Sequence, residues 1–313
     1  MARAFVFPGQ GSQAVGMGQA LLAAFPAARE VLEEVDDALG QKLSRLIAEG
    51  PAEELTLTQN AQPALMAISM AVLRVLETEG KVDLARDCAF VAGHSLGEYS
   101  ALAAARSFGL ADTARLLRIR GLAMQKAVPV GEGAMAALLG AELELAQEIA
   151  AAAAEGEVCS AANDNAPGQV VISGATAAID RAIEIAGTRG IRRSIKLPVS
   201  APFHCAMMAP AAEAMGKALA DVPPLRPLVP LMANVTAAPV ENPADISRLL
   251  VEQVTAMVRW RESVLAMRDS GVDTLIEIGA GKVLSGLAKR IDRDITALNA
   301  ETPEEIEAVL KTF

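Results

Sequence analysis

The segment Gly93-His94-Ser95-Leu96-Gly97 has the spacing of a nucleophile elbow, a sharp turn that presents a serine between a strand and a helix. An apolar run at 89–92 precedes it, and a helical pattern beginning at Glu98 follows it. Glycines permit close backbone approach at such a turn, and the serine hydroxyl projects at the helix N-terminus. We therefore predict that Ser95 is a nucleophile. A glycine-rich turn that is merely capped by serine is the alternative.

A serine hydroxyl needs a base, and neutral imidazole is the usual base near neutral pH. The chain has only two histidines, His94 and His204. Because His94 directly precedes Ser95, we expect its side chain to diverge from the hydroxyl, which leaves His204 as the base. A hydrogen-bonded structural histidine is the alternative for His204. The neighbouring Cys205 is interpreted as a buried thiol rather than a nucleophile.

Acyl transfer from a serine also needs preorganised donors for the oxyanion. At an elbow, one donor is the backbone N–H of the residue after the nucleophile, here Leu96. The second donor has to come from another loop. The glycine-rich segment 8–13, which follows the first predicted strand, is the candidate.

Arg120 lies on the apolar side of a predicted helix at 113–126. Its neighbours three and four positions away are all apolar: Leu116, Leu117, Ala123 and Met124. An inward guanidinium needs an anionic partner, for which a carboxylate is the natural choice. That partner is either a substrate carboxylate or an internal Asp or Glu. Arg115 and Arg118 are predicted to point elsewhere, into solvent.

Short apolar runs alternate with long Ala-, Leu- and Glu-rich helical patterns, which predicts an α/β fold with a mainly parallel sheet. The predicted strands of this sheet are 4–7, 89–92, 229–232 and 274–278. The stretch 16–80 between the first two strands is predicted to be helical. We expect breaks in it near Pro26, Gly40, Pro51 and Pro63.

The middle of the chain has a different pattern. Strands are predicted at 133–139, 158–162, 169–174 and 193–197, helices at 142–155 and 177–187, and a turn at 165–168. This βαββαβ order is that of a ferredoxin-like module. We therefore predict a small ferredoxin-like domain at 128–198, inserted into a large α/β domain formed by 1–127 and 199–313.

Composition excludes several classes of protein. The 313 residues are 52% hydrophobic and 21% charged, which excludes disorder, and charged residues interrupt each apolar stretch before it could span a membrane. A net charge of −10 with 3% aromatic residues argues against nucleic acid as a partner. Three separated cysteines and two histidines argue against a metal site. Because no signal-peptide pattern precedes the first predicted strand, we expect a cytoplasmic protein.

Together, these motifs resemble the malonyl-CoA:acyl carrier protein transacylases of bacterial fatty acid synthesis. The stretches that are similar in order and spacing are 7–13, 93–100, 165–171, 198–200 with His204, and 279–282. They span nearly the whole chain. The resemblance implies that the large domain is hydrolase-like and carries Ser95, and that the active site lies in the cleft between this domain and the ferredoxin-like domain.

The resemblance also implies a reaction. Ser95 takes malonyl from coenzyme A as an ester and passes it to the phosphopantetheine thiol of acyl carrier protein, with His204 as base. Malonyl-CoA is then a substrate, phosphopantetheine is carried by the partner, and no cofactor is bound. We expect a monomer that binds neither nucleic acid nor membrane.

Further site residues are implied by the resemblance alone. In the family, the arginine at the position of Arg120 binds the free malonyl carboxylate, and the backbone N–H groups at Gln10 and Leu96 form the oxyanion hole. A backbone carbonyl at Gln253 orients the histidine, in place of a triad aspartate. The bulky ring of Phe203 is similar to that of malonyl-selective acyltransferases and implies a preference for malonyl over methylmalonyl.

Three other functions stay open from the sequence. A trans-acting malonyl acyltransferase of a polyketide synthase would share the same catalytic residues. A serine thioesterase or esterase would use water as the acceptor, although Arg120 would gain little from an uncharged acyl chain. A catalytically silent docking subunit would not need Ser95, His204 and Arg120 together.

Overall fold

The computed structural model describes residues 2–199 and 201–313 and contains two β-sheets. In chain order the strands are β1 (Ala2–Phe7), β2 (Phe90–Gly93), β3 (Gly133–Leu139), β4 (Cys159–Ala166), β5 (Gln169–Ala175), β6 (Arg193–Lys196), β7 (Leu231–Ala233), β8 (Ala238–Val240), β9 (Val272–Ile278) and β10 (Thr296–Ala300). The larger sheet has the order β10-β9-β1-β2-β7-β8. Its strands pair in parallel except β8, which runs antiparallel to β7.

Fifteen α-helices lie in the described part of the chain. They are α1 (Gln19–Ala24), α2 (Pro26–Leu39), α3 (Leu43–Glu49), α4 (Ala52–Thr56), α5 (Thr58–Gly80), α6 (Leu84–Asp87), α7 (Gly97–Ala104), α8 (Leu110–Ala127), α9 (Leu143–Ala154), α10 (Thr176–Thr188), α11 (Ala209–Asp221), α12 (Pro243–Gln253), α13 (Trp260–Asp269), α14 (Val283–Ile291) and α15 (Pro303–Leu310). A short 3₁₀ turn at Ala206–Met208 precedes α11.

The predicted α/β class with a parallel sheet is confirmed. The four predicted strands are β1, β2, β7 and β9, which lie side by side in the sheet. Along β1, Phe5 and Phe7 pack into one hydrophobic cluster while Ala4 and Val6 pack into another. Both faces of this strand are therefore covered, as expected for a central parallel strand. The edge strands β8 and β10 were not predicted.

The predicted helix break at Pro63 is wrong, because Pro63 lies inside α5. A proline inside a helix removes one backbone hydrogen bond. Most residues of α5 are buried, from Thr58 to Leu76. Tertiary packing of such a helix outweighs the local cost of the proline. The predicted breaks near Pro26, Gly40 and Pro51 do separate helices.

The smaller sheet has the order β4-β5-β3-β6, all antiparallel, and is accompanied by α9 and α10. This is the βαββαβ arrangement predicted from the sequence, so the ferredoxin-like part of the fold class is confirmed. The domain limits of 128–198 for this unit, and of 1–127 with 199–313 for the large one, stay a prediction.

Strand β4 is longer than predicted and ends at Ala166, so the turn contains only Pro167 and Gly168. Irregularities of register after Ala161 and after Asp164 keep the polar residues of this strand within the sheet. A bulge of this kind alters a strand's side-chain alternation, which explains why the polar run resembled a turn.

Two main-chain hydrogen bonds join β4 to the segment that follows α12. Asp164 N donates to Val258 O at 3.0 Å, and Val258 N donates to Ala162 O at 2.9 Å. The buried Asp164 carboxylate also accepts a hydrogen bond from Arg261 Nε at 2.9 Å. We refer to this contact between the small sheet and the large sheet's helical layer as the β4 junction.

None of the helices in residues 2–199 and 201–313 is long and apolar enough to cross a membrane.

Glu277 is a buried carboxylate near the end of β9 that caps the start of α14. It accepts hydrogen bonds from Leu284 N at 3.0 Å and from Ser285 N and Oγ at 2.8 Å each. Asn299 Nδ2 donates a further bond at 3.1 Å. Four donors thus surround one acceptor group, and they oppose the rise in the pKa of Glu277 that burial causes without cancelling it.

We expect Glu277→Gln to lower the free energy of unfolding by about 1–3 kcal/mol, because the new amide nitrogen would face donors and leave a buried donor unpaired. The measurement is urea denaturation at neutral pH. An unchanged midpoint would show that the cap does not contribute to stability.

Candidate active site

Ser95 lies at the turn between β2 and α7 with a φ of 54°, in the left-handed region that residues other than glycine seldom occupy. The turn is tight because backbone atoms meet where the flanking glycines have no side chain. A Cβ atom on Gly93 would lie 1.9 Å from the Gly97 carbonyl oxygen, and one on Gly97 would lie 2.3 Å from Phe7 O. The geometry is that of a nucleophile elbow.

The structure brings His204 to the Ser95 hydroxyl, with 2.8 Å between Ser95 Oγ and His204 Nε2. On the other side of the ring, Nδ1 lies 2.8 Å from the backbone oxygen of Gln253. A carbonyl oxygen can only accept, so Nδ1 carries the proton and Nε2 presents its lone pair to the hydroxyl. This is the tautomer that a general base requires.

Burial lowers the pKa of His204 to about 3, and the positive charge of Arg120 contributes to this shift. The hydrogen bonds to the backbone of Gln253 and Ala256 oppose it. The imidazole is therefore neutral at physiological pH and able to accept a proton.

Arg120 is buried beside the nucleophile and is held by neutral groups. Nη1 donates to Gln62 Oε1 at 2.9 Å, and Nη2 donates to Gln253 Oε1 at 2.8 Å and to Ser95 Oγ at 3.1 Å. Nε is buried without a hydrogen-bond partner. No carboxylate of the described residues forms an ion pair with this guanidinium, so the internal salt bridge that the sequence left open is not formed there.

Arg118 departs from the sequence prediction. Arg115 is exposed and pairs with Asp112, as a solvated arginine does. Arg118 is half-buried, and its Nε and Nη2 have no hydrogen-bond partner among the described residues. The reason is that α8 packs against α2, α5 and α11, so more than one side of this helix is covered.

The loop after β1 packs against the elbow. A Cβ atom on Gly9 would lie 2.7 Å from His94 O, so only glycine permits this approach. The backbone N–H groups of Gln10 and Leu96 donate to no acceptor in the part of the chain that the structure describes. Gln10 lines the cavity beside Ser95, and Leu96 follows Ser95 directly in the chain, so both N–H groups are candidates for stabilising an oxyanion.

His94 points away from the nucleophile. Its Nε2 lies 2.8 Å from Asn165 Oδ1 on β4, and its ring lies 5.7 Å from the Trp260 ring. His94 thus links the elbow to the small sheet, while His204 faces Ser95.

A cavity of about 420 Å³ opens above Ser95, between the large sheet's loops and the small sheet. Phe203, which is 8% exposed, contributes its ring to the wall. The other lining residues are Gln10, Gly11, Gln13, Thr56, His94, Ser95, Met135, Asn163, Leu197, Pro198, Val199 and His204. Ser200, which belongs to one of the matching stretches, lies outside the described residues.

Sequence reasoning missed a second group of polar residues behind the nucleophile. Ser95 N donates to Asn234 Oδ1 at 2.8 Å, and Asn234 Nδ2 donates to Gly93 O at 2.7 Å. Asn234 N in turn donates to Glu98 Oε1 at 3.1 Å. Gln62 of α5 was also missed, because the polar residues Thr58, Gln59 and Asn60 precede it and only the fold shows that it is buried.

Burial raises the pKa of Glu98 to about 7, and the donors Asn234 and Gln253 and the charge of Arg120 oppose this rise.

No group of three or more His, Cys, Asp or Glu side chains within residues 2–199 and 201–313 is placed to hold a metal ion.

Comparison with known proteins identifies the family. Residues 4–298 match the family described as the acyl transferase domain. The chain belongs to the acyl transferase family. Two similar members of this family are named malonyl CoA-acyl carrier protein transacylase. The protein from Bacillus subtilis is 46% identical over 311 residues, which cover 99% of this chain and 96% of the relative. The protein from Escherichia coli is 44% identical and covers 98% of both chains.

Solved structures are also similar to this chain, in both fold and sequence. An acyl-carrier-protein-S-malonyltransferase from Bartonella henselae has a TM-score of 0.97 and 58% identity, over 100% of this chain and 99% of its own. A malonyl-transacylase solved in complex with a type II PKS acyl-carrier protein has a TM-score of 0.97 and 39% identity, over 100% of both chains.

The lowered pKa of His204 predicts how the reactivity of Ser95 depends on pH. The neutral imidazole is the active form, so reactivity is lost only as pH falls through the folded-state pKa. We expect the rate at which a neutral sulfonyl fluoride labels Ser95 to stay flat between about pH 8 and about pH 5. Mass spectrometry of samples quenched over time gives this rate. A loss of half the rate near pH 6.5 that persists in Glu98→Gln, where the nearby carboxyl with a pKa of about 7 is absent, would contradict the assignment.

Proposed function

We propose that this chain transfers a malonyl group from coenzyme A to the phosphopantetheine thiol of acyl carrier protein, through an ester on Ser95. The observation that carries the proposal is the buried guanidinium of Arg120, 3.1 Å from Ser95 Oγ and without a carboxylate partner among the described residues. Such a charge favours an acyl group that ends in a carboxylate. The names of the Bacillus subtilis and Escherichia coli relatives support the same reaction.

In the first half-reaction, His204 Nε2 takes the proton of Ser95 Oγ as this oxygen attacks the thioester carbonyl. The N–H groups of Gln10 and Leu96 donate to the oxyanion of the tetrahedral intermediate. The C–S bond then breaks, and the sulfur leaves as coenzyme A after receiving the proton from His204. The product is malonyl-Ser95.

In the second half-reaction the malonyl group moves from Ser95 to the phosphopantetheine thiol. His204 takes the proton of the phosphopantetheine thiol, and the sulfur attacks the ester carbonyl. The C–O bond breaks and Ser95 Oγ recovers its proton from His204. The backbone carbonyl of Gln253 keeps the imidazole in the tautomer that both halves require. This sequence uses no bound cofactor.

The ring of Phe203 lines the cavity beside Ser95, and a bulky ring there would crowd an α-methyl group, which supports a preference for malonyl over methylmalonyl. A polyketide carrier protein is the second candidate acceptor. The solved complex of a related malonyl-transacylase with a type II PKS acyl-carrier protein favours it.

The cytoplasm, predicted from the sequence, is the compartment in which we place the reaction.

Mass spectrometry after a brief exposure to malonyl-CoA tests the proposal against its rivals. A malonyl adduct on Ser95 that persists in water and discharges to acyl carrier protein supports the transacylase. An adduct that hydrolyses rapidly supports a thioesterase, and the absence of any adduct supports a docking subunit.

We expect Ser95→Ala and His204→Ala each to lower kcat/KM for malonyl transfer by about a thousandfold or more, because the hydroxyl is a weak nucleophile until imidazole takes its proton. The double variant should lose little more than either single variant, since both residues act in one step. Transfer assays on the three variants give these values. Losses that multiply would show that the two residues act independently.

Arg120→Ala should lower the ratio of kcat/KM for malonyl-CoA to that for acetyl-CoA by about two orders of magnitude. The malonyl carboxylate would be left unpaired in the cavity, whereas acetyl has no such group. The assay follows acylation of Ser95 by each substrate, with Arg115→Ala as the control for an exposed arginine of the same helix. An unchanged ratio would refute the role of Arg120 in binding the carboxylate.

A further inference from the structure

A buried carboxylate that the reaction does not use, that of Glu98, lies behind the active site. Glu98 is the second residue of α7 and is 1% exposed. Its Oε1 accepts the backbone N–H of Asn234 at 3.1 Å, and its Oε2 accepts a short hydrogen bond from Gln253 Nε2. Both oxygens are thus bonded to residues that touch the catalytic groups.

The side-chain amide of Gln253 has only one orientation that satisfies its neighbours. Its Nε2 donates to Ser95 O at 2.9 Å and to Glu98, which uses both amide hydrogens. Its Oε1 accepts from Arg120 Nη2 at 2.8 Å. With the amide reversed, Oε1 would face two acceptors and Nε2 would face the guanidinium, so three hydrogen bonds would be lost.

A carboxylate suits this position because it accepts hydrogen bonds and offers none. A neutral amide at position 98 could keep the bond from Asn234 N only by turning its own NH₂ group toward Gln253 Nε2. Donor would then face donor. Above its pKa of about 7 the carboxylate is ionised, and the negative charge then also strengthens the hydrogen bond that it receives from Gln253.

We propose that Glu98 is a positioning residue that sets the selectivity of the site for an acyl group ending in a carboxylate, by holding the Gln253 amide with its oxygen toward Arg120. This contact keeps the guanidinium within hydrogen-bond distance of Ser95 Oγ. The backbone carbonyl of the same Gln253 orients His204. Through its contact with Gln253, Glu98 therefore helps to position both His204 and Arg120. This inference rests on the proposed malonyl transfer.

The test compares Glu98→Gln with wild type in the acylation of Ser95 by malonyl-CoA and by acetyl-CoA at about pH 8, above the pKa of Glu98. We expect the malonyl-to-acetyl ratio of kcat/KM to fall about tenfold or more, which corresponds to the loss of a hydrogen bond to a charged group. Glu277→Gln is the matched control. It replaces another buried glutamate at a helix start, and it should lower stability while leaving the ratio within about twofold of wild type.

A second variant, Gln253→Met, keeps the backbone carbonyl for His204 and removes the amide link to Arg120. It should lower the same ratio, and Glu98→Gln combined with Gln253→Met should lower it no further than Gln253→Met alone. Circular dichroism establishes that each variant is folded. If Glu98→Gln does not fold, the single variant Gln253→Met still tests whether the Gln253 amide positions Arg120.

The outcomes separate the two proposals. A wild-type chain that transfers no malonyl refutes the proposed function. A wild-type chain that transfers malonyl, with an unchanged ratio in folded Glu98→Gln or in Gln253→Met, refutes the role of Glu98. Losses of the ratio that multiply in the double variant refute it as well, because Glu98 would then act by a route other than Gln253.

Discussion

The buried positive charge of Arg120 is the constraint around which the site is arranged. A guanidinium out of contact with water is costly unless its donors are satisfied. Oxygens from three different parts of the fold accept from it: Gln62 of α5, Gln253 of α12 and Ser95 of the elbow. None of these groups is negatively charged. The same charge helps to keep His204 neutral. One buried residue thus connects the proposed substrate preference with the protonation state of the base.

Close backbone packing supplies the rigid frame for these side chains. The loop after β1 and the turn after β2 approach so closely that Gly9 and Gly97 leave no room for a Cβ atom. Ser95 takes up the strained left-handed conformation there, and Asn234 holds its backbone N–H in place. Strain of this kind persists only where the surroundings hold it firmly, and it is frequent at functional sites.

The sequence predicted the parts of this protein that depend on local pattern. The elbow, the central strands and the βαββαβ order of the small sheet follow from periodicity and turn residues, and the structure contains all three. Pro63 was misjudged because its cost is local while the packing of α5 is tertiary. The edge strand β10 was missed because its residues, such as Thr296 and Asn299, are only partly buried or exposed and do not form an apolar run.

Residues whose importance depends on distant partners could not be predicted in that way. Asn234 and Gln62 meet Ser95 and Arg120 only in the folded chain, across 139 and 58 positions of sequence. Gln253 was assigned only through resemblance, because every residue has a backbone carbonyl and the residue type therefore does not indicate this role. Such contacts are visible in three dimensions and have no local pattern.

The β4 junction limits how the cavity can change shape. The segment that carries Val258 follows Gln253 by five residues, and it is bonded through its main chain to β4 of the small sheet. Any rotation of the small sheet that widened the cavity would pull on the carbonyl that orients His204. The main-chain bonds of the β4 junction therefore oppose such a rotation, and smaller side chains in the cavity wall are a second way to make room for a bulkier acyl group.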